Sequence, residues 1–118
     1  MMPWLTRSLL GSILAFALAG CATDQRGRVE LRGEEIARTH CTGCHAIGRS
    51  GESPAPEAPP FRTLSQNYPV TDLEEALAEG ISVGHPAMPE FRFSSDDAHA
   101  LVSYLQAIQE RHPDQRAN

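Results

Sequence analysis

Cys41-Thr42-Gly43-Cys44-His45 is the stretch of this chain with the most specific chemistry. Two cysteines three positions apart, followed at once by a histidine, form the pattern typical of covalent haem attachment. On one helical turn, side chains at positions i, i+3 and i+4 lie on the same side. Both thiols can then bond to one edge of a porphyrin while the imidazole of His45 binds the iron. The sequence therefore predicts one haem c, bound through Cys41 and Cys44.

A cysteine pair has other uses, namely a disulfide oxidoreductase site, a structural disulfide or half of a zinc site. The one further cysteine, Cys21, lies well upstream, and no second ligand pair with zinc-like spacing is present. No strand pattern leads into the motif, as a thioredoxin-like site would require. The main alternative is an exported disulfide with an incidental His45.

Residues 1–20 are predicted to be a signal peptide. Arg7 supplies its positive charge, and the apolar run that follows is shorter than the roughly 20 residues of a spanning helix. Leu18-Ala19-Gly20-Cys21 resembles the lipobox of bacterial lipoproteins, which implies a lipid-anchored Cys21. Ordinary cleavage between Ala17 and Ala22 is the alternative and would give a soluble product. Either way we expect a bacterial periplasmic protein.

Size and charge limit the partners. The chain has 118 residues, 15 acidic side chains and ten basic ones, all arginine, for a net charge of −5. This acidic balance argues against nucleic acid and against a basic patch on anionic lipid. One small domain fits this length, and a covalently held porphyrin would staple its modest core. We expect a monomer.

The chain is expected to be all-α, because no strand alternation appears anywhere in it. We predict a tether over 21–29, one domain over 30–112 and a flexible tail over 113–118. Four prolines between Ser53 and Pro60 exclude a helix there, so 46–69 is predicted to be loop-like.

Three helices are expected within the domain. The first runs from about Glu30 to His45. The second opens at a capping box, Thr71–Glu74, and ends at Gly80. Ser94 or Ser95 caps the third. Its apolar stripe comprises Ala98, Leu101, Val102, Leu105 and Ile108.

An iron held by His45 has one open axial position. Met88 is the favoured ligand, since it stands between Pro86 and Pro89 in a loop and no other methionine follows the signal peptide. Its thioether is a soft neutral ligand, and Met/His ligation is typical of electron-transfer haems. His85 is the second choice.

The remaining histidines are less suited to this position. They are His40, His99 and His112. His40 adjoins the motif and cannot easily reach the opposite face of a porphyrin, and the other two are expected to be solvated helix residues.

With these features the chain resembles the class I monohaem c-type cytochromes of bacteria over about residues 30–110. That family carries a glycine eight positions before the first haem cysteine, matched by Gly33, where its terminal helices cross. Opposite it stand a leucine and an aromatic, matched by Leu101 and Tyr104. The resemblance implies a cytochrome c-like fold of three to four short helices around the haem.

The resemblance also implies that a proline carbonyl holds the haem-ligating histidine. Pro59 is the candidate, with Pro60 as the alternative, and such a bond fixes the tautomer. The chain departs from the family pattern at Ala37, commonly aromatic, and in having no tryptophan after residue 4 to contact a haem propionate. Possible substitutes are Arg62, Asn67, Tyr68 and Arg92. A lysine ring around the haem edge is also absent.

The resemblance implies an electron carrier rather than an enzyme, periplasmic or tethered to a membrane. Its donor and acceptor would be redox proteins, such as a membrane oxidoreductase or a periplasmic dehydrogenase. The alternative is a haem c domain with a labile Met88 that acts as a peroxidase or as a gas or redox sensor subunit. A non-haem dithiol domain is a third hypothesis.

Overall fold

A computed structural model describes residues 9–80 and 87–111, with backbone alone over 9–21; residues 1–8, 81–86 and 112–118 lie outside the description. The described part is helical and contains no strand, which confirms the all-α prediction. Its elements are α1 (Leu9–His40), a 3₁₀ helix Phe61–Gln66, a 3₁₀ turn Val70–Asp72, α2 (Leu73–Glu79) and α3 (Ser95–Ile108). None of the helices in these two ranges is both long and apolar enough to cross a bilayer.

Helix α1 is longer upstream than the sequence predicted. It begins at Leu9, so the segment 22–29 is helical where an irregular tether was expected. No proline interrupts Leu9–His40, and an ion pair between Asp24 and Arg28 supports the helix one turn apart. The assignment of residues 1–20 as a signal peptide, the domain boundaries and the tail stay predictions.

Helices α1 and α3 meet backbone to backbone at Gly33. A Cβ placed on Gly33 would lie 2.0 Å from the carbonyl oxygen of Ala100 and 2.7 Å from Cβ of Tyr104. No other residue fits such a contact without moving one helix. The crossing expected between Gly33 and Tyr104 is confirmed.

Helix α3 supplies one wall of the core. The hydroxyl of Ser94 accepts the backbone N–H of Asp97 at 3.2 Å, which confirms the Ser94 cap. All five residues of the predicted apolar stripe are buried. The other side of the core comes from α1, α2 and the 3₁₀ segments. Its buried members include Ala37, Phe61, Leu64, Val70 and Leu77.

Two local predictions are wrong. The loop over 46–69 contains the 3₁₀ helix Phe61–Gln66, because Phe61 and Leu64 are drawn into the core. The capping box at Thr71–Glu74 does not form. A 3₁₀ turn precedes α2, no side chain caps this helix, and the carboxylate of Glu74 instead lies 3.2 Å from Nδ1 of His99.

The predicted end of α2 is correct. Gly80 has φ +79° and ψ 36°, and its N–H donates to the Ala76 carbonyl at 3.0 Å. This left-handed residue ends α2, and glycine adopts that conformation without strain.

Candidate haem-binding site

The Cys41–His45 motif forms a single turn just after α1, which ends at His40 rather than at His45 as predicted. The N–H of Cys41 donates to the Ala37 carbonyl at 2.9 Å, and the N–H of His45 donates to the Cys41 carbonyl at 2.9 Å. These bonds continue the helical pattern through the motif. Cys44 is exposed, Cys41 is half-buried and His45 is buried.

The imidazole of His45 is held from behind by the proline-rich segment. Its Nδ1 lies 2.8 Å from the carbonyl oxygen of Pro59. Because that oxygen can only accept, Nδ1 carries the proton and the lone pair of Nε2 is left for a metal. Of the two prolines considered, Pro60 is engaged elsewhere, since its carbonyl accepts from the hydroxyl of Thr63 at 2.9 Å.

Backbone bonds fix the proline-rich segment against the motif. The N–H of Ala55 donates to the Cys44 carbonyl at 3.1 Å, and the N–H of Phe61 donates to the Ala46 carbonyl at 2.9 Å. The ring of Phe61 lies 4.9 Å from the His45 ring, centroid to centroid. The position of His45 is thus set by stiff chain on one side and by an aromatic wall on the other.

An apolar cavity, partly open to solvent, lies in front of His45. Cys41, His45 and Met88 all border it, although Met88 lies far along the chain from the motif. A second cavity adjoins the first and adds Cys44 to its border. The remaining walls of the first cavity are mainly apolar and include Leu64, Leu73, Leu77, Phe93, Leu101 and Leu105.

The other histidines lie in different surroundings. His99 is on the exposed side of α3, beside Glu74. His40 packs against Phe91 and Phe93, on the segment that carries Met88. His85 and His112 fall outside the described residues, so His85, the second choice of axial ligand, stays a prediction.

These residues fit a covalently bound haem. The cavity is apolar, two thiols stand at one side and an oriented imidazole faces it. Burial, and then the nearby Cys44, raise the pKa of the Cys41 thiol to about 11. Dithiol oxidoreductases need a cysteine with a lowered pKa, so the site is poorly suited to that chemistry.

Of the four side chains considered for the haem propionates, Tyr68 borders the cavity. Arg62 instead donates to the Gly51 carbonyl at 2.8 Å and pairs with Glu110 at 2.9 Å. Arg92 is exposed and lies beside Glu90. Tyr68 is therefore the best placed of the four.

One contact behind the site, formed by Gln109 and called the clasp below, is not predicted from the sequence. The side-chain oxygen of Gln109 accepts the N–H of Ser65 at 2.8 Å. Its nitrogen donates to the carbonyls of Phe61 and Leu105, both at 2.7 Å. A single amide thus ties the 3₁₀ helix that carries Phe61 to the end of α3. Nothing in the local sequence signals this contact, because Phe61 and Ser65 lie more than forty residues from Gln109.

A search against protein families found one described as "Cytochrome C oxidase, cbb3-type, subunit III", which matches residues 29–105. Searches among curated proteins and among solved structures found no match. The matched range covers more than half of the chain and contains the motif, the apolar cavity and Met88. It implies covalently bound haem c, with Cys41 and Cys44 at the spacing of the attachment motif, and an electron-transfer role. The chain belongs to the cbb3-type cytochrome c oxidase subunit III family, and its all-α fold is of the cytochrome c type.

Proposed function

We propose that this protein is a one-electron carrier in which His45 and Met88 are the two axial ligands of the haem iron. The observation that carries the proposal is that both side chains border the same apolar cavity. They approach it from separate segments, the turn after α1 and the chain leading into α3.

The roles of the residues follow from their positions. Cys41 and Cys44 would hold the haem, and the Pro59 carbonyl would keep Nε2 of His45 directed at the iron. The apolar walls would keep water from the metal. When bound, the haem supplies reversible one-electron chemistry, and a Met/His ligand pair raises its reduction potential.

We further propose that the electron partners belong to a membrane oxidase complex, as the name of the family indicates. The border of the second cavity, next to Cys44, carries one carboxylate, Glu57, and no arginine. A partner that docks there would meet a nearly neutral, apolar surface. The rate at which the two proteins associate should therefore depend only weakly on ionic strength.

The proposed location is the bacterial periplasm, with residues 1–20 as the export signal and a lipid on Cys21. Cell fractionation of Cys21→Ser tests the anchor, with Ala22→Ser as the neighbouring control. We expect Cys21→Ser alone to move from the membrane to the soluble fraction. Its persistence in the membrane would contradict lipid anchoring without affecting the proposed ligand pair.

Met88→Leu tests the axial ligand, because leucine has similar size but no sulfur. We expect the variant to keep its haem, to lose the far-red band of sulfur-ligated ferric haem and to have a lower reduction potential. His99→Ala, on the exposed side of α3, is the control and should match the wild type. An unchanged spectrum and potential in Met88→Leu would refute Met88 as ligand.

The alternative, a peroxidase or gas-responsive site, requires a Met88 that dissociates readily. Rapid cyanide binding by the wild-type ferric protein would favour it, whereas slow binding would support the carrier. The structure offers a reason to test this, because Met88 lies in irregular chain and not on a helix.

A further inference from the structure

Three aromatic rings meet where α1 ends. The imidazole of His40 stands edge-on to the ring of Phe93, with centroids 5.3 Å apart and planes at 69°. It meets Phe91 in the same way, at 6.1 Å and 68°. The two phenylalanine rings are stacked 5.4 Å apart, with planes inclined by only 12°. Edge-to-face and offset-stacked pairs are the favourable arrangements of aromatic rings.

The three rings join two parts of the proposed coordination site. His40 is the last residue of α1 and immediately precedes Cys41. Phe91 and Phe93 stand three and five residues after Met88. Both phenylalanine rings therefore approach the same imidazole from the segment that follows Met88.

The far end of this segment is fixed independently. The N–H of Phe93 donates to the carbonyl of Leu77 at 3.0 Å, which holds the segment to α2. Phe91 borders both cavities, together with Cys41, His45 and Met88. The rings are therefore placed to set the distance between the Met88 segment and the turn that carries His45.

We propose that His40, Phe91 and Phe93 form a brace that positions Met88 for coordination of the haem iron. This inference rests on the proposed function, in which Met88 is the axial ligand. In the brace His40 is a positioning residue that acts through its ring. It is not an iron ligand, and its nitrogen atoms are not required.

The test compares His40→Leu with His40→Phe in the haem-loaded protein. Leucine keeps bulk and helix propensity but removes the ring, and phenylalanine keeps the ring but removes both nitrogens. Thr39→Ala is the control, because the Thr39 hydroxyl is exposed and donates to the Glu35 carbonyl of its own helix. The measurements are haem content, the far-red band, the reduction potential and the rate of imidazole binding to the ferric protein.

We expect His40→Leu to keep its haem but to bind imidazole about tenfold faster, the effect of losing one to two aromatic pairs. Its far-red band should weaken and its reduction potential should fall. His40→Phe should restore all three to near wild-type values, and Thr39→Ala should leave them unchanged. A role in folding alone would change the melting temperature without this pattern.

Two results would overturn the brace. One is wild-type behaviour of His40→Leu, and the other is failure of His40→Phe to restore it. Met88→Leu separates the brace from the proposed ligand pair. If Met88→Leu loses the far-red band while His40→Leu keeps it unchanged, the brace alone is wrong. If Met88→Leu keeps the band, the ligand assignment itself fails.

Discussion

The α1–α3 crossing and the Met88 segment are built in opposite ways. At the crossing, backbone touches backbone at Gly33, and Ala37 and Ala98 have no exposed surface. Over 87–93, every residue is exposed or half-buried; among the described residues, the N–H of Phe93 bonds to α2, its side chain packs against the core, and the rings of Phe91 and Phe93 contact His40. His45 thus follows a helix that is packed into the core, whereas Met88 lies on a segment attached to the surface of the core.

This difference predicts that substitutions can alter the stability of the domain and the ligation of the iron separately. A change at the crossing should unfold the domain, and a change near Met88 should alter the spectrum while the fold persists.

The largest effect is expected at the crossing, from Gly33→Ala. In an open helix this change would stabilise by about 1 kcal/mol. Here the new Cβ would lie 2.0 Å from the Ala100 carbonyl oxygen, so the helices must separate, at a cost of about 3 kcal/mol or more. Gly27→Ala in the same helix has open space and should be neutral or stabilising. Denaturant unfolding measures both, and equal stabilities would contradict the backbone contact.

The next effect is expected at the clasp behind His45. Gln109→Leu removes three hydrogen bonds and should destabilise by about 2–3 kcal/mol. Gln106→Leu, at an exposed position of α3, should change stability by less than about 0.5 kcal/mol. Thermal unfolding compares them. Similar melting temperatures would show that the clasp does not contribute.

A smaller effect on stability is expected at Gly80, where α2 ends. Gly80→Ala places a Cβ in left-handed backbone and 2.6 Å from Cγ of Arg92, which can swing away. We expect a loss of about 1–2 kcal/mol, mostly from the backbone. Gly51→Ala has φ +92° and open space, so it measures the backbone part alone. A far larger loss in Gly80→Ala would mean that Arg92 is fixed.

The smallest effect concerns the ion pair that flanks the crossing. Arg32 Nε donates to the Asp97 carboxylate at 2.7 Å, and this bond, with a second from the Ser94 hydroxyl, lowers the pKa of Asp97. A lowered native pKa means that the stabilisation is present above the unfolded value of about 3.9 and is lost as the pH falls through the native pKa. The stability difference between wild type and Asp97→Asn should therefore be small near pH 7 and vanish at low pH. If the stability difference persisted at low pH, its cause would be packing and not the ion pair.

Local signals predicted much of this molecule. The Ser94 cap, the Gly80 stop and the stripe from Ala98 to Ile108 each follow from residues close together in sequence, and all are observed. The Gly33 crossing is a contact between distant residues, and it was predicted only because the chain resembles a known family.

The wrong and missed features involve competition or long separation. Thr71–Glu74 fits a capping box, but burial of Val70 favours a 3₁₀ turn and Glu74 faces His99. The sequence does not indicate the extension of α1, because polar residues and Gly27 are typical of flexible chain. From the sequence His40 is only a poor candidate for the axial ligand, and its ring contacts become visible only when the chain is folded.

The continuous helix through 22–40 changes what the proposed anchor would do. Nineteen helical residues form a rigid rod roughly 28 Å long. A flexible linker of the same length would instead allow the haem to lie at many distances from the anchor. A lipid on Cys21 would then keep the haem-binding turn at a fixed distance, roughly 28 Å, from the point of lipid attachment. Redox partners would then be selected by the distance of their redox centre from the membrane, since only a centre within reach of the haem could receive the electron.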